Sequence, residues 1–151
     1  MDTNSFIQEI IAHPHDEQLR LVFADYLEER EDPRGELIRV QLERAAVPMW
    51  DPRRIDLAYR ERVAQRQTGY AFFGHLPDER PPLCSDGGFY SGVALSVSAF
   101  LKLRNRLFRQ SPITTLKLEG RTNRLQQLAN TEQLRQVHHL TFAVDSPPAE
   151  F

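Results

Sequence analysis

Over the first seventy residues, apolar positions recur at intervals of three and four, the spacing of helices that bury one face. Phe6, Ile7, Ile10 and Ile11 share one side of a short helix. Ser5 and Gln8 have the spacing of a capping box at its start, and His13-Pro14 closes it because a residue before proline is pushed out of the α region. Asp16 then caps a second helix whose stripe is Leu19, Val22, Phe23, Tyr26 and Leu27. Asp32-Pro33-Arg34-Gly35 reads as a tight connection, with Glu36 in the favourable first turn of the next helix. That third helix turns Leu37, Ile38, Gln41, Leu42 and Ala45 inward, sets Arg39, Glu43 and Arg44 outward, and stops at Pro48. Asp51-Pro52 restarts the chain with the same capping logic, and Ile55, Ala58, Tyr59 and Val63 face inward up to a terminating Gly69.

Beyond Gly69 the period changes. Residues 70–92 carry prolines, a glycine pair and alternating aromatics, a connector that packs Phe72 and Phe73 and turns at Asp86-Gly87-Gly88 into a hairpin from a short strand near Leu83. No Gly-Lys-Ser/Thr or dinucleotide glycine pattern accompanies those glycines, so the turn reading outweighs a phosphate loop. Val93 to Val97 alternates as a strand, 100–110 reads as a helix, 113–118 alternates again, a shorter helix surrounds Leu125, Leu128 and Ala129, and 137–142 alternates a third time. Ile113, Leu116 and Leu118 map onto Val137, Leu140 and Phe142 at a constant offset of 24. That spacing resembles a leucine-rich repeat, whose units run roughly 20–29 residues and stack parallel strands. The expected fold class is α+β: an N-terminal α-helical bundle over 1–69, a connector over 70–92, and a truncated, leucine-rich-repeat-like parallel β-α-β-α-β segment over 93–151, which the bundle caps.

Composition narrows the class. With 151 residues, 40% apolar and 26% charged, the chain suits one domain or two small ones sharing a core. The net charge of −2 gives nucleic-acid binding no general support. One cysteine, Cys84, excludes an internal disulfide and a cysteine-based zinc site, and without an activating partner it reads as buried. No apolar run nears the ~18–20 residues that span a bilayer, and the acidic N-terminus is unlike a signal peptide, so a cytoplasmic protein without a membrane partner is expected.

The stretch FADYLEEREDPRGELIRVQLE carries a more specific signal. Asp25, Leu27, Glu28, Glu29, Asp32, Pro33, Arg34, Gly35, Glu36, Ile38, Arg39 and Gln41 match the core pattern of the bacterial repeat-companion domain of planctomycete and myxobacterial type, which the chain resembles over 16–44. Tyr26 stands where that pattern has Trp, and Glu31 where Gly is common. Glu tolerates positive φ poorly, which argues against a left-handed cap at that point. The resemblance implies architecture, since such domains precede leucine-rich or propeller repeats; it implies no chemistry. Within it, Asp25, Tyr26, Leu27, Asp32, Pro33, Arg34, Gly35 and Glu36 are read as structural.

Candidate chemistry is sparse. The acidic group Asp25, Glu28, Glu29, Asp32 and Glu36 is interleaved with Arg30, Arg34 and Arg39, and reads as caps and salt bridges more readily than as a metal or acid–base site. His13, His15 and Asp16 flank a proline without a second ligand pair, and no serine has a nucleophile-elbow context. The expectation is a non-catalytic interaction or scaffold module that needs no cofactor or metal. Its protein partner docks on the sheet face or adds a strand to an open final edge, by hetero- or homo-association, through Thr115, Lys117, His139, Thr141, Phe142 and Val144. The alternatives are a nucleic-acid accessory protein using Arg53, Arg54, Arg60, Arg62 and Arg66 of the fourth helix, and an enzyme with an unrecognised site.

Overall fold

The computed structural model describes residues 2–68, 83–120 and 123–143. Four helices lead: α1 (Thr3–Ala12), α2 (Glu17–Glu28), α3 (Arg34–Ala46) and α4 (Arg53–Thr68). Strands β1 (Cys84–Asp86) and β2 (Phe89–Ser96) form a hairpin. Then follow α5 (Val97–Gln110), β3 (Thr115–Glu119), the short α6 (Leu125–Ala129), a 3-10 helix (Glu132–Gln136) and β4 (His139–Ala143). The architecture is mixed α+β, with six α-helices and a four-stranded sheet among the described residues.

Local chemistry accounts for most boundaries. Asp16 Oδ1 accepts from the Leu19 amide at 2.9 Å and opens α2 as expected. α1 is capped one turn earlier than the Ser5–Gln8 spacing indicates, because Asp2 Oδ1 accepts from the Ser5 amide at 2.8 Å. Before α3, Asp32 Oδ1 accepts from the Arg34 amide at 3.0 Å while the Arg34 guanidinium grips the same carboxylate. Immediately upstream, Glu31 has φ +55, so the left-handed position exists although its residue is not glycine. At Gly35, an added Cβ would lie 2.6 Å from Glu28 Cγ and 2.8 Å from the Ala24 carbonyl oxygen. Only glycine lets α2 and α3 approach this closely.

The sheet order is β1-β2-β3-β4, antiparallel in the hairpin and parallel thereafter. Leu116 pairs with Leu140 and Leu118 with Phe142, the register implied by the 24-residue offset. β2 starts at Phe89, four residues before the visible alternation, and Val97 belongs to α5, which Ser96 caps. Both hairpin glycines have positive φ, +47 at Gly87 and +85 at Gly88, as a type I′ turn demands.

One hydrophobic cluster runs through the described residues. Phe6 stacks on Phe23 at 5.0 Å, and Phe23 meets Phe89 of β2 at 6.3 Å, carrying the helical core into the sheet. α5 covers the apolar sheet face and packs against α1. The inward stripes differ from the expected ones in three helices. In α3, Ala45 is exposed and Val40 fully buried, the packed face turning toward Val40. In α2, Arg20 is buried and Val22 exposed. In α4, Leu57, Glu61 and Ala64 are buried while Ile55 and Tyr59 point to solvent.

The reversals in α2 and α4 have one physical cause: polar groups arriving from other elements. The Arg20 guanidinium donates at 2.6 Å to the carbonyls of both Pro14 and Asp86, and lies 5.6 Å above the Phe89 ring. Burial depresses its pKa, against the raising influence of Asp86 and Glu17. Gln41 Nε2 donates to Glu61 Oε1 at 2.8 Å and Ser85 Oγ at 3.0 Å, while its Oε1 accepts from the Gly88 amide at 2.7 Å. Arg44 pairs with the other Glu61 oxygen. A satisfied buried polar network therefore joins α3, α4 and the hairpin tip.

Candidate interaction surface

Among the described residues β4 is the last strand of the sheet, and its exposed edge is the feature that most invites a partner. In a parallel ladder a strand residue bonds one neighbour while the next in sequence points its N–H and C=O to the other side. The His139 amide donates to Thr114 O at 3.0 Å, so Leu140 and Phe142 present their backbone groups outward. Their side chains lie on the helix-covered face in line with Leu116 and Leu118, yet remain 42% and 48% exposed. The strand His139–Ala143 contains no Lys, Arg, Asp, Glu or Pro. These are the residues by which exposed edges are normally protected. The opposite edge differs: β1 spans only three residues, is irregular at Cys84/Ser85, ends on Asp86 and lies against α3.

The register sorts the expected binding residues. Thr115 aligns with His139 and Lys117 with Thr141, so these four share the polar face, where Lys117 Nζ pairs with Glu119 Oε1 at 2.9 Å. Phe142 is on the other face, so it belongs to an edge contact and not to a sheet-face patch. Val144, like Phe72 and Phe73, lies outside the described residues.

The helical candidates resolve differently. Arg39 ties Asp25 and Glu28 together across α2 and α3, and Arg34 holds Asp32. Burial raises the Asp32 carboxyl's pKa, but hydrogen bonds from Arg34 outweigh it and hold that pKa below the ordinary range. Glu28 moves the other way, pushed up by burial and by Glu36. Tyr26 packs on Phe6, with the Arg30 guanidinium 3.7 Å above its ring. Among the described residues, no group of three His, Cys, Asp or Glu side chains is placed to hold a metal ion.

Of the five arginines expected on a nucleic-acid face, three are engaged within the chain. Arg53 pairs with Asp51 at 2.7 Å, Arg54 donates to the carbonyls of Arg44 and Val47, and Arg60 bridges Glu36 and Glu43. Arg62 and Arg66 are exposed. Cys84 is exposed, contrary to expectation, because β1 is an edge strand and its Sγ overlies Gly92 instead of entering the core. An open polar groove of about 700 Å³ separates α5 from α6 and the 3-10 helix; Arg104, Asn105, Arg124, Gln127 and Gln133 line it. No helix among the described residues is long and apolar enough to cross a membrane. Comparison of the chain with protein-family models, with curated proteins and with solved structures found no match.

Proposed function

We propose that this chain is a non-catalytic, cytoplasmic interaction module: a repeat-companion-like helical unit capping a short leucine-rich-repeat-like sheet that takes a protein partner by strand addition at β4. The observation that carries this reading is the uncharged β4 edge, where Leu140 and Phe142 leave both apolar surface and backbone hydrogen-bonding groups exposed. An added strand would satisfy those backbone groups and bury both side chains, the two contributions that give strand addition its affinity and specificity. The polar face bearing Thr115, Lys117, His139 and Thr141 offers a secondary contact around that edge. A nucleic-acid role draws little support from α4, where three of the five candidate arginines are internally engaged.

The test is affinity isolation from native extract with wild type and with Leu140→Lys/Phe142→Lys, a change that protects the edge while leaving the β3–β4 ladder intact. A stoichiometric protein partner retained by wild type and lost by the folded variant is expected. A partner held equally well by both would refute docking at this edge.

A further inference from the structure

The overall charge of −2 hides a division along the chain. Residues 97–136 contain eight Lys or Arg and two Asp or Glu, a net +6, so the remainder carries −8. α5 holds four of those cations, Lys102, Arg104, Arg106 and Arg109, and no acid. At about 100° per residue, Lys102, Arg106 and Arg109 fall within roughly 60° of one another, opposite the buried Phe100 and Leu107. All three are exposed, and among the described residues none has an ion-pair partner. The helical half treats its arginines differently: Arg34, Arg39, Arg44, Arg53 and Arg60 all pair with carboxylates. Lys102 and Arg106 are also four residues apart, a like-charge spacing that costs helix stability until an anion relieves it.

Lys102 also lines the groove of about 700 Å³ between α5 and the segment of α6 and the 3-10 helix. Three cations line it, Lys102, Arg104 and Arg124, against one acid, Glu132, among the described residues. Arg104 donates to the Leu101 carbonyl, which fixes its guanidinium beside the groove. Amide side chains supply much of the remaining polarity. Gln133 Nε2 donates to Asn105 Oδ1 at 2.7 Å, tying the two walls together and leaving Asn105 Nδ2 and Gln133 Oε1 as a donor and an acceptor for a ligand. That pair decides the class of anion. A nucleic-acid backbone presents acceptors to it and would leave the amide oxygen unmatched. No aromatic side chain lines the groove among the described residues, so no base would stack there. An extended peptide offers both N–H and C=O groups. Its carboxylates at alternate positions lie ~6.6 Å apart, near the ~6 Å rise from Lys102 to Arg106. We infer that the α5 groove binds an extended, carboxylate-rich peptide segment, at a site separate from the β4 edge. Such binding is salt-sensitive and steered by charge.

The probe is a short fluorescein-labelled peptide alternating Glu and Ser, titrated with the full chain and followed by polarisation. Saturable binding at low salt is expected, weakening as salt rises to physiological strength. Lys102→Glu/Arg106→Glu should lower the affinity by about tenfold. Arg62→Glu/Arg66→Glu, an equal change of charge on α4, should alter it by less than about twofold. In NMR titration the side-chain amides of Asn105 and Gln133 should shift while the backbone amides of Leu140 and Phe142 stay in place. Leu140→Lys/Phe142→Lys should bind the peptide at least as well as wild type, so the groove and the β4 edge stand or fall separately. All the substituted α4 and α5 positions are exposed, and circular dichroism checks that each variant folds. Absence of saturable binding at low salt overturns the inference. So does an equal loss in both charge-reversed variants, which marks attraction to net charge alone, and so does binding that leaves the Asn105 and Gln133 amides unshifted. A short DNA duplex that binds more tightly than the peptide and displaces it also overturns the inference, assigning the face to nucleic acid.

Discussion

Replacing Gln41 with Leu isolates the joint between the helices and the hairpin. The native side chain makes three short hydrogen bonds in a buried setting, to Glu61, Ser85 and the Gly88 amide. Leu fills nearly the same volume, so the change removes polarity and little packing. Each lost bond is worth about 0.5–1.5 kcal/mol net, and a stranded buried amide at Gly88 costs a further ~1–3 kcal/mol. Exchanging an amide for a buried isobutyl group returns about 1–2 kcal/mol. Glu61 keeps Arg44 and is not left as an uncompensated charge. The balance is centred on a destabilisation of about 3–4 kcal/mol, or a Tm lower by roughly 6–16 °C for a chain of this size. Urea unfolding supplies the free energy, and hydrogen exchange at the Gly88 amide supplies the location: it should accelerate more than amides of α1. Gln65→Leu is the control, since Gln65 is exposed and meets Glu61 at 3.4 Å, and it should change stability by under about 0.5 kcal/mol. If Gln41→Leu matched that control and left Gly88 exchange unchanged, the network would not hold the joint.

Two further outcomes follow from the α2–α3 turn. Glu31→Gly relieves a positive φ that costs a non-glycine residue about 1–2 kcal/mol, against a smaller entropic gain for the unfolded chain; denaturation should show about 0.5–1 kcal/mol of added stability. The Asp32 carboxyl has a pKa lowered in the fold, so its stabilisation is fully present above the unfolded value and disappears as pH falls through the folded one. The stability gap between wild type and Asp32→Asn should be constant near neutrality and shrink below about pH 4, and a gap unchanged down to pH 2 would contradict the Arg34 clamp.

The parts of the fold legible in the sequence are those governed by neighbours along the chain. Asp16 caps the helix it precedes, Asp32-Pro33-Arg34-Gly35 turns, and the Gly87-Gly88 pair closes a hairpin. Each depends on contacts a few residues away. The 24-residue offset was readable because parallel strands stack in register, so their apolar positions must repeat with the unit. Glu31 shows the limit: its left-handed backbone is imposed by the turn joining two packed helices, and intrinsic preference gives way.

The candidate surfaces were harder to see, for a reason visible in α4. Its sequence supports two apolar stripes, Ile55–Tyr59 and Leu57–Ala64, on opposite sides. Hydrophobicity favours burying the first, because the second includes Glu61. The packed structure buries the second, since Gln41 and Arg44 of α3 supply the partners that make a buried carboxylate tolerable. Arg20 displaces Val22 from the core in the same way, with the carbonyls of Pro14 and Asp86 waiting for it. The sequence by itself determined where elements start, stop and repeat, because those are local energies. Which faces turn inward, and therefore which are left for partners, only the tertiary structure decided. Arg20 and Glu61 are buried because residues distant in sequence, Asp86 and Gln41, help complete their hydrogen bonds.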